Sequence, residues 1–254
     1  MTHPSDRQRA EAQPSTGGVN PPGSIFPRPE AGTWPPMNAP AYGSTRKRHA
    51  LNAPIKIPHT LTETSAPRFS PSAYPAYADM SVHEGVAAMG ERIIVGGRVL
   101  DEDGRPVRGA MLEIWQANAA GRYHHIRDQH DAPLDPHFSG SARVFSDDEG
   151  RWQVTTIKPG AYPWPNHPKA WRPVHIHFGL HGAGFAQRMI TQMYFPGDPL
   201  LPLDPVFMAT PDAAARERLI AKFDLDYAVE NWALGYRFDI VLRGRNATPM
   251  ENPK

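Results

Sequence analysis

The sequence predicts an all-β chain: a β-sandwich of mixed topology with long loops, an extended N-terminal arm and one short helix. Three observations predict it. At least six short runs rich in β-branched and aromatic residues follow one another from Glu91 to Gly244. Turns rich in Gly, Pro and Asp separate them. Only Ala213 to Phe223 (AAARERLIAKF) reads as a helix, with Leu219, Ile220 and Phe223 towards one side. Short strands punctuated by turn residues fit a sandwich or a barrel.

Residues 1–50 hold nine of the 29 prolines and five glycines, with few aliphatic side chains. Such a stretch buries too little apolar surface to offset its ordering entropy. The organisation expected is a disordered extension over 1–30, an extended Pro-rich arm with loops over 31–90, and a β-sandwich domain over 91–254. Within the arm, WPPMNAPAY (34–42) is aromatic enough to dock on a surface, and a flexible linker is the competing reading.

From Glu91 the character changes. ERIIVGGRVLDEDGRPV (91–107) reads as a strand, a tight turn at Asp103-Gly104 and a second strand. MLEIWQAN (111–118) alternates apolar and polar residues. VFSDDEGRWQVTTI (144–157) repeats the strand–turn–strand logic around Asp147 to Gly150. VHIHFGL (174–180), QRMITQMYF (187–195) and GYRFDIVLRG (235–244) complete the series.

Composition excludes several classes of function. The net charge of +1 gives no electrostatic case for a nucleic-acid or acidic-membrane partner. With no cysteine, disulfides, thiolate metal sites and thiol nucleophiles are ruled out. No apolar run approaches the roughly 18 residues of a membrane span, and MTHPSDRQRA lacks an apolar signal core. A cytoplasmic location is expected. Metal ligands, if any, must come from the 12 His, eight Tyr and 26 carboxylates.

His175-Ile176-His177 is the strongest local signal for chemistry. Residues i and i+2 of a strand share a face, roughly 6.5–7 Å apart. Both imidazoles can then reach one metal at about 2.1 Å per bond, while Ile176 points into a core. Two partly exposed histidines on a strand edge remain the plainer alternative. His124 and His125 are adjacent and face opposite ways, so they read as surface residues, as do His130 and His137 in a polar loop. No third histidine or carboxylate stands at a familiar offset. The nearby candidates are Tyr123 and Tyr162. A buried tyrosine usually packs its ring and hydrogen-bonds its hydroxyl. Phenolate is also a hard anionic ligand suited to a ferric ion, which can hold phenols ionised below their usual pKa of about 10.

Six ordered runs carry a resemblance: WQANAAGRY, APLDPHF, TIKPGAYPW, WRPVHIHF, ITQMYFPGDPL and YRFDIVLRG. Together they resemble the intradiol ring-cleaving dioxygenases over about residues 55–252, with weaker similarity from Trp34 to Ala50. The resemblance implies a catalytic β-sandwich holding non-haem Fe(III) through Tyr123, Tyr162, His175 and His177. It places Tyr162 opposite His177 as the ligand that leaves on substrate binding, with Gly160 and Pro163 shaping its backbone. It places Arg172 and Gln192 in the active site, and Trp164 and Val206 along the ring pocket. Val206 stands where a larger aliphatic residue is more usual. Tyr42 falls where an N-terminal tyrosine approaches the pocket.

The implied reaction is cleavage of protocatechuate by O2 between its hydroxylated carbons, giving 3-carboxy-cis,cis-muconate in the β-ketoadipate pathway. The implied partner is a homologous α chain in an αβ hetero-oligomer. A centre of Fe(III), two tyrosinates and one hydroxide is neutral, which lowers the cost of burying it. Two other readings stay open. One is a different catechol as substrate, although such relatives usually carry a helical N-terminal domain and this one is Pro-rich. The other is a non-catalytic binding module, since GRVLDEDGRPVRGAMLEIW resembles transthyretin-like hairpins.

Overall fold

The computed structural model describes residues 29–52, 55, 71–182 and 188–251. The extension expected over 1–30 lies outside the described residues apart from Pro29 and Glu30. Two sheets dominate. One has the strand order β10-β9-β4-β5, built from Arg188–Tyr194, His175–His181, Met111–Trp115 and Ser141–Phe145, all antiparallel. The other is centred on β3, Arg92–Leu100. Its antiparallel neighbour is β6, Arg151–Ile157. On its other side β12 (Leu234–Arg237) and β13 (Ile240–Val241) pair parallel to it, and β11 (Lys222–Phe223) extends the sheet beyond β12. The sandwich of mixed topology is therefore present.

The sequence of each strand matches its place. RIIVGGRVL in β3 is a near-continuous apolar run, as a strand buried on both faces requires. SARVF in β5 lies at a sheet edge and alternates buried with half-buried positions. The inward faces meet in one core. The Phe178 ring packs edge-on against Trp152 at 5.2 Å and lies 5.4 Å from Phe238. Ile176 is fully buried in that core, as its position between the two histidines requires.

Two elements differ from expectation. After Asp103-Gly104 the chain turns, but the return is a single bridge from Leu100 to Pro106 rather than a strand. Pro106 has no N–H to extend a ladder, and β6 takes the antiparallel edge of β3 instead. The helix is also shorter, spanning Ala213–Glu217. Backbone bonds of 2.8 Å from Tyr194 N–H to Leu219 O and from Ala221 N–H to Tyr194 O draw the chain into a bridge with β10. Phe223 ends up half exposed on β11 rather than on a helical face. Among the described residues, two single α-helical turns accompany this helix, here α3: α1 at Thr45–Arg48 and α2 at Pro205–Met208.

The aromatic arm is docked. Tyr42 and Ala39 are buried. Asn166 clamps the arm, accepting from Gly43 N–H at 2.7 Å and donating to Ala41 O at 2.9 Å.

Candidate metal centre and pocket

The two histidines stand on β9, at the edge of the core. Tyr123 and Tyr162 come from the loops that follow β4 and β6. Each loop is built by side chains bonding to backbone. Asn118 Oδ1 accepts from Ala120 and Arg122 N–H, and Asp128 Oδ2 accepts from Tyr123 N–H at 2.7 Å. The two loops also lie against each other. Gly160 N–H donates to Asn118 O at 2.9 Å. A Cβ added to Gly121, whose φ is +78°, would lie 2.2 Å from Ala161 O. Tyr162 opens β7 (Tyr162–Pro163) and pairs with Arg172 on β8 (Trp171–Arg172).

Four donor atoms converge in a ring. Tyr123 Oη lies 3.1 Å from His177 Nε2, which lies 3.2 Å from His175 Nε2. His175 Nε2 lies 3.2 Å from Tyr162 Oη, and the two phenol oxygens are 3.5 Å apart. Ligands on bonds of about 2.0–2.2 Å to one ion stand roughly 3.0–3.5 Å from one another at right or tetrahedral angles. The ring of distances therefore fits a single cation. Among the described residues no three His, Cys, Asp or Glu form a metal-binding group. The cluster emerges only when phenols are counted, a donor set that suits a hard trivalent ion.

Neighbouring groups set the tautomers. His175 Nδ1 donates to Pro173 O at 2.6 Å, which leaves Nε2 with its lone pair. His177 Nδ1 faces Glu251 Oε2 at 3.7 Å, and the Trp115 ring lies parallel to the imidazole with centroids 5.0 Å apart. Burial pushes both histidines down and both tyrosines up, so without a cation all four groups are neutral. Burial would push the Glu251 carboxyl up, but the His177 ring, the Gln192 amide and the Arg172 charge outweigh it and hold it at about 2.

The other expected residues gather beside this ring. Arg172 is buried and donates to Gln192 Oε1 at 2.5 Å. Its guanidinium carbon is 5.5 Å from the Trp164 ring centroid. Trp164 in turn meets Tyr42 edge-on at 5.6 Å. A pocket next to the ring is lined by Tyr42, Gln192, Tyr194, Val206, Met250 and Glu251, among others. His124 and His125 are exposed, as read. Three participants were not singled out in the sequence: Tyr194, Asp204 and Glu251. Tyr194 had a signal, because it sits two residues after Gln192 on the same strand face. Register places Gln192 opposite His177 and Tyr194 opposite His175.

A β-sandwich that brings two tyrosines and two histidines within bonding reach of one point has the makings of a non-haem iron oxygenase. A family model described as dioxygenase matches residues 64–244. The chain belongs to the intradiol dioxygenase family. It is 55% identical over 224 residues to the protocatechuate 3,4-dioxygenase beta chain of Burkholderia cepacia, covering 86% of this chain and 95% of that one. It is 34% identical over 164 residues to the alpha chain of the protocatechuate enzyme from the same organism, covering 63% of this chain and 77% of that one. Among solved structures, hydroxyquinol 1,2-dioxygenase from Pseudomonas putida DLL-E4 superposes with a TM-score of 0.51 at 26% identity, covering 69% of this chain and 60% of that one.

Proposed function

We propose that this chain is the iron-bearing chain of an enzyme that opens protocatechuate with O2 between its hydroxylated carbons, giving 3-carboxy-cis,cis-muconate. The observation that carries the reading is the ring of four donor atoms spaced 3.1–3.5 Å apart. Likeness to the Burkholderia cepacia beta chain supports the choice of substrate. A non-catalytic module has no use for two neutral phenols and two neutral imidazoles buried edge to edge.

Tyr123, Tyr162, His175 and His177 would hold Fe(III). Bound there, the ion would supply Lewis acidity, ionising the phenols and drawing electron density from a catechol held against it. The chain's own residues do the rest. Tyr162 Oη, ionised only while the ion is bound, would take one catechol proton and become a neutral phenol; burial pushes this phenol up, and the Arg172 charge partly opposes that. Arg172, a permanent cation, stabilises negative charge that develops on the ring. Trp164 and Val206 confine the ring, and Gln192 aims Arg172 through the 2.5 Å bond. Tyr42, docked beside Trp164, offers a phenol to the substrate carboxylate. The protein works with a homologous α chain that completes the carboxylate end of the pocket. Similarity to alpha chains of the same enzyme type supports a pairing of like folds.

Iron-loaded protein, with and without an α partner, is mixed with protocatechuate while oxygen uptake and ring absorbance are followed. The expected result is a red-brown, tyrosinate-to-iron absorbing protein that consumes one O2 per protocatechuate. A colourless protein with full iron content, or an iron-loaded assembly that leaves protocatechuate intact, overturns the reading.

A further inference from the structure

The Asp204 side chain is fully buried beside Arg172. Both of its oxygens are engaged. Oδ1 lies 3.1 Å from Arg172 Nε and accepts from Val206 N–H at 3.2 Å. Oδ2 accepts from Phe207 N–H at 3.3 Å and lies 3.3 Å from Tyr194 Oη. Two backbone N–H groups and the Arg172 charge hold a side chain that has no exposed surface, so its role is positional rather than that of a base.

Its partners belong to three elements, two of which line the pocket through Tyr194 and Val206. Arg172 stands on β8, opposite Tyr162. Tyr194 stands on β10, opposite His175. Val206 is on α2, whose first turn Asp204 caps. Tyr194 Oη donates its one proton at closer range to Gln192 Oε1, at 2.9 Å, and Arg172 donates to the same oxygen at 2.5 Å. Behind the network, Tyr194, Leu201, Phe207 and Leu219 form a small core of their own. A guanidinium buried in this position needs a counter-charge, and an unpaired buried charge is strongly destabilising. The carboxylate that supplies it also fixes the backbone carrying Val206.

We infer that Asp204 is a positioning residue that ties the aim of Arg172 to the pocket wall at Val206, so that cation and ring clamp are set as one unit. The inference rests on the proposed reaction. It goes beyond that reading in assigning a role to a residue that touches neither metal nor substrate.

The test is a double-mutant cycle on the iron-loaded protein with its α partner: Asp204→Asn, Arg172→Gln and the pair. Asparagine keeps one of the two oxygens that cap α2 and removes the charge. Iron content and the visible absorption band should match wild type in Asp204→Asn, with kcat down about 10- to 100-fold, the scale of a misplaced catalytic group. In the Arg172→Gln background the same change should lower kcat by less than about threefold, because the charge acts through Arg172. Asp204→Glu, which keeps the charge, should recover most of kcat and also carries the test if Asp204→Asn does not fold. An unchanged kcat in Asp204→Asn, equal losses in both backgrounds, or a glutamate variant as slow as asparagine overturns the inference alone. An iron-loaded wild type that leaves protocatechuate intact overturns the substrate reading and the inference with it.

Discussion

His175 and His177 present their Nε2 atoms 3.2 Å apart because one strand face and two Nδ1 contacts hold them there. Replacing either by alanine removes one of four donors and opens a hole beside the other. His175→Ala and His177→Ala are each expected to lower iron content several-fold and to abolish turnover, checked by metal assay on folded protein. Glu251→Gln is milder, because it leaves all donors and removes only the charge facing His177 Nδ1. Partners of that kind typically contribute 10- to 100-fold in metal affinity. Tyr42 tests substrate recognition separately. A charge-assisted bond to a carboxylate contributes about 1.5–3 kcal/mol, or roughly 10- to 150-fold in binding. Tyr42→Phe should raise KM for protocatechuate by that factor, leave iron in place and leave KM for unsubstituted catechol unchanged. The strand-face argument made the histidine pair legible from spacing alone. Tyr123 and Tyr162 were not legible that way, since 39 residues separate them and only the crossing of two loops brings them together. Resemblance to a family supplied what spacing could not. Asp204 and Glu251 escaped both routes, as a buried counter-charge and a tail contact leave no periodic mark.

Turns and loops explain where the reading of elements succeeded and failed. The two acidic turns look alike in sequence and are alike in structure. Asp101 Oδ1 accepts from Asp103 and Arg105 N–H, and Asp147 Oδ1 accepts from Glu149 and Arg151 N–H. Yet only the second joins two strands of ladder length, because Pro106 interrupts the first. The backbone bond to Arg151 leads the effects that hold the Asp147 carboxyl below its ordinary value. The ionised form therefore stabilises the fold above the unfolded carboxylate pKa of about 3.9, and the contribution is lost as pH falls through the lower folded value. Asp147→Asn should melt below wild type at pH 7, and the gap should close on acidification; a gap that widens is the contrary result. The ligand loops depend on glycine for a different reason. Gly121→Ala places a methyl 2.2 Å from Ala161 O at a positive φ. Roughly 1–3 kcal/mol of strain is expected, with the phenol oxygens pushed apart. Reduced thermal stability together with weaker iron retention checks it.

At the scale of the whole molecule, the main apolar core lies behind the histidine strand. Ile176 is buried between the histidines and on the opposite face. Ile176→Ala is expected to cost about 2–5 kcal/mol in urea unfolding and to loosen both imidazoles by leaving their strand unsupported. Among the described residues, no helix is long and apolar enough to cross a membrane. The all-β class was legible because strand periodicity and turn residues agreed. The pairing order was not, since β3 joins β12 and β13 across well over a hundred residues and no local pattern announces such partners.

Contacts of that range also bear on how the proposed centre would take up iron. The four donors sit on two loops and a strand that have no fixed relation until both sheets have closed. Contacts so distant along the chain form late and make folding slow. On the proposed reading iron would have no assembled site in the unfolded chain, in contrast to a zinc finger, whose folding free energy is metal-binding free energy. The order expected on the proposed reading is polypeptide collapse, sheet closure, then metal capture by a finished cage. Refolding followed by tryptophan fluorescence should proceed at the same rate in chelator as in iron, with the metal entering afterwards in a separate, slower phase.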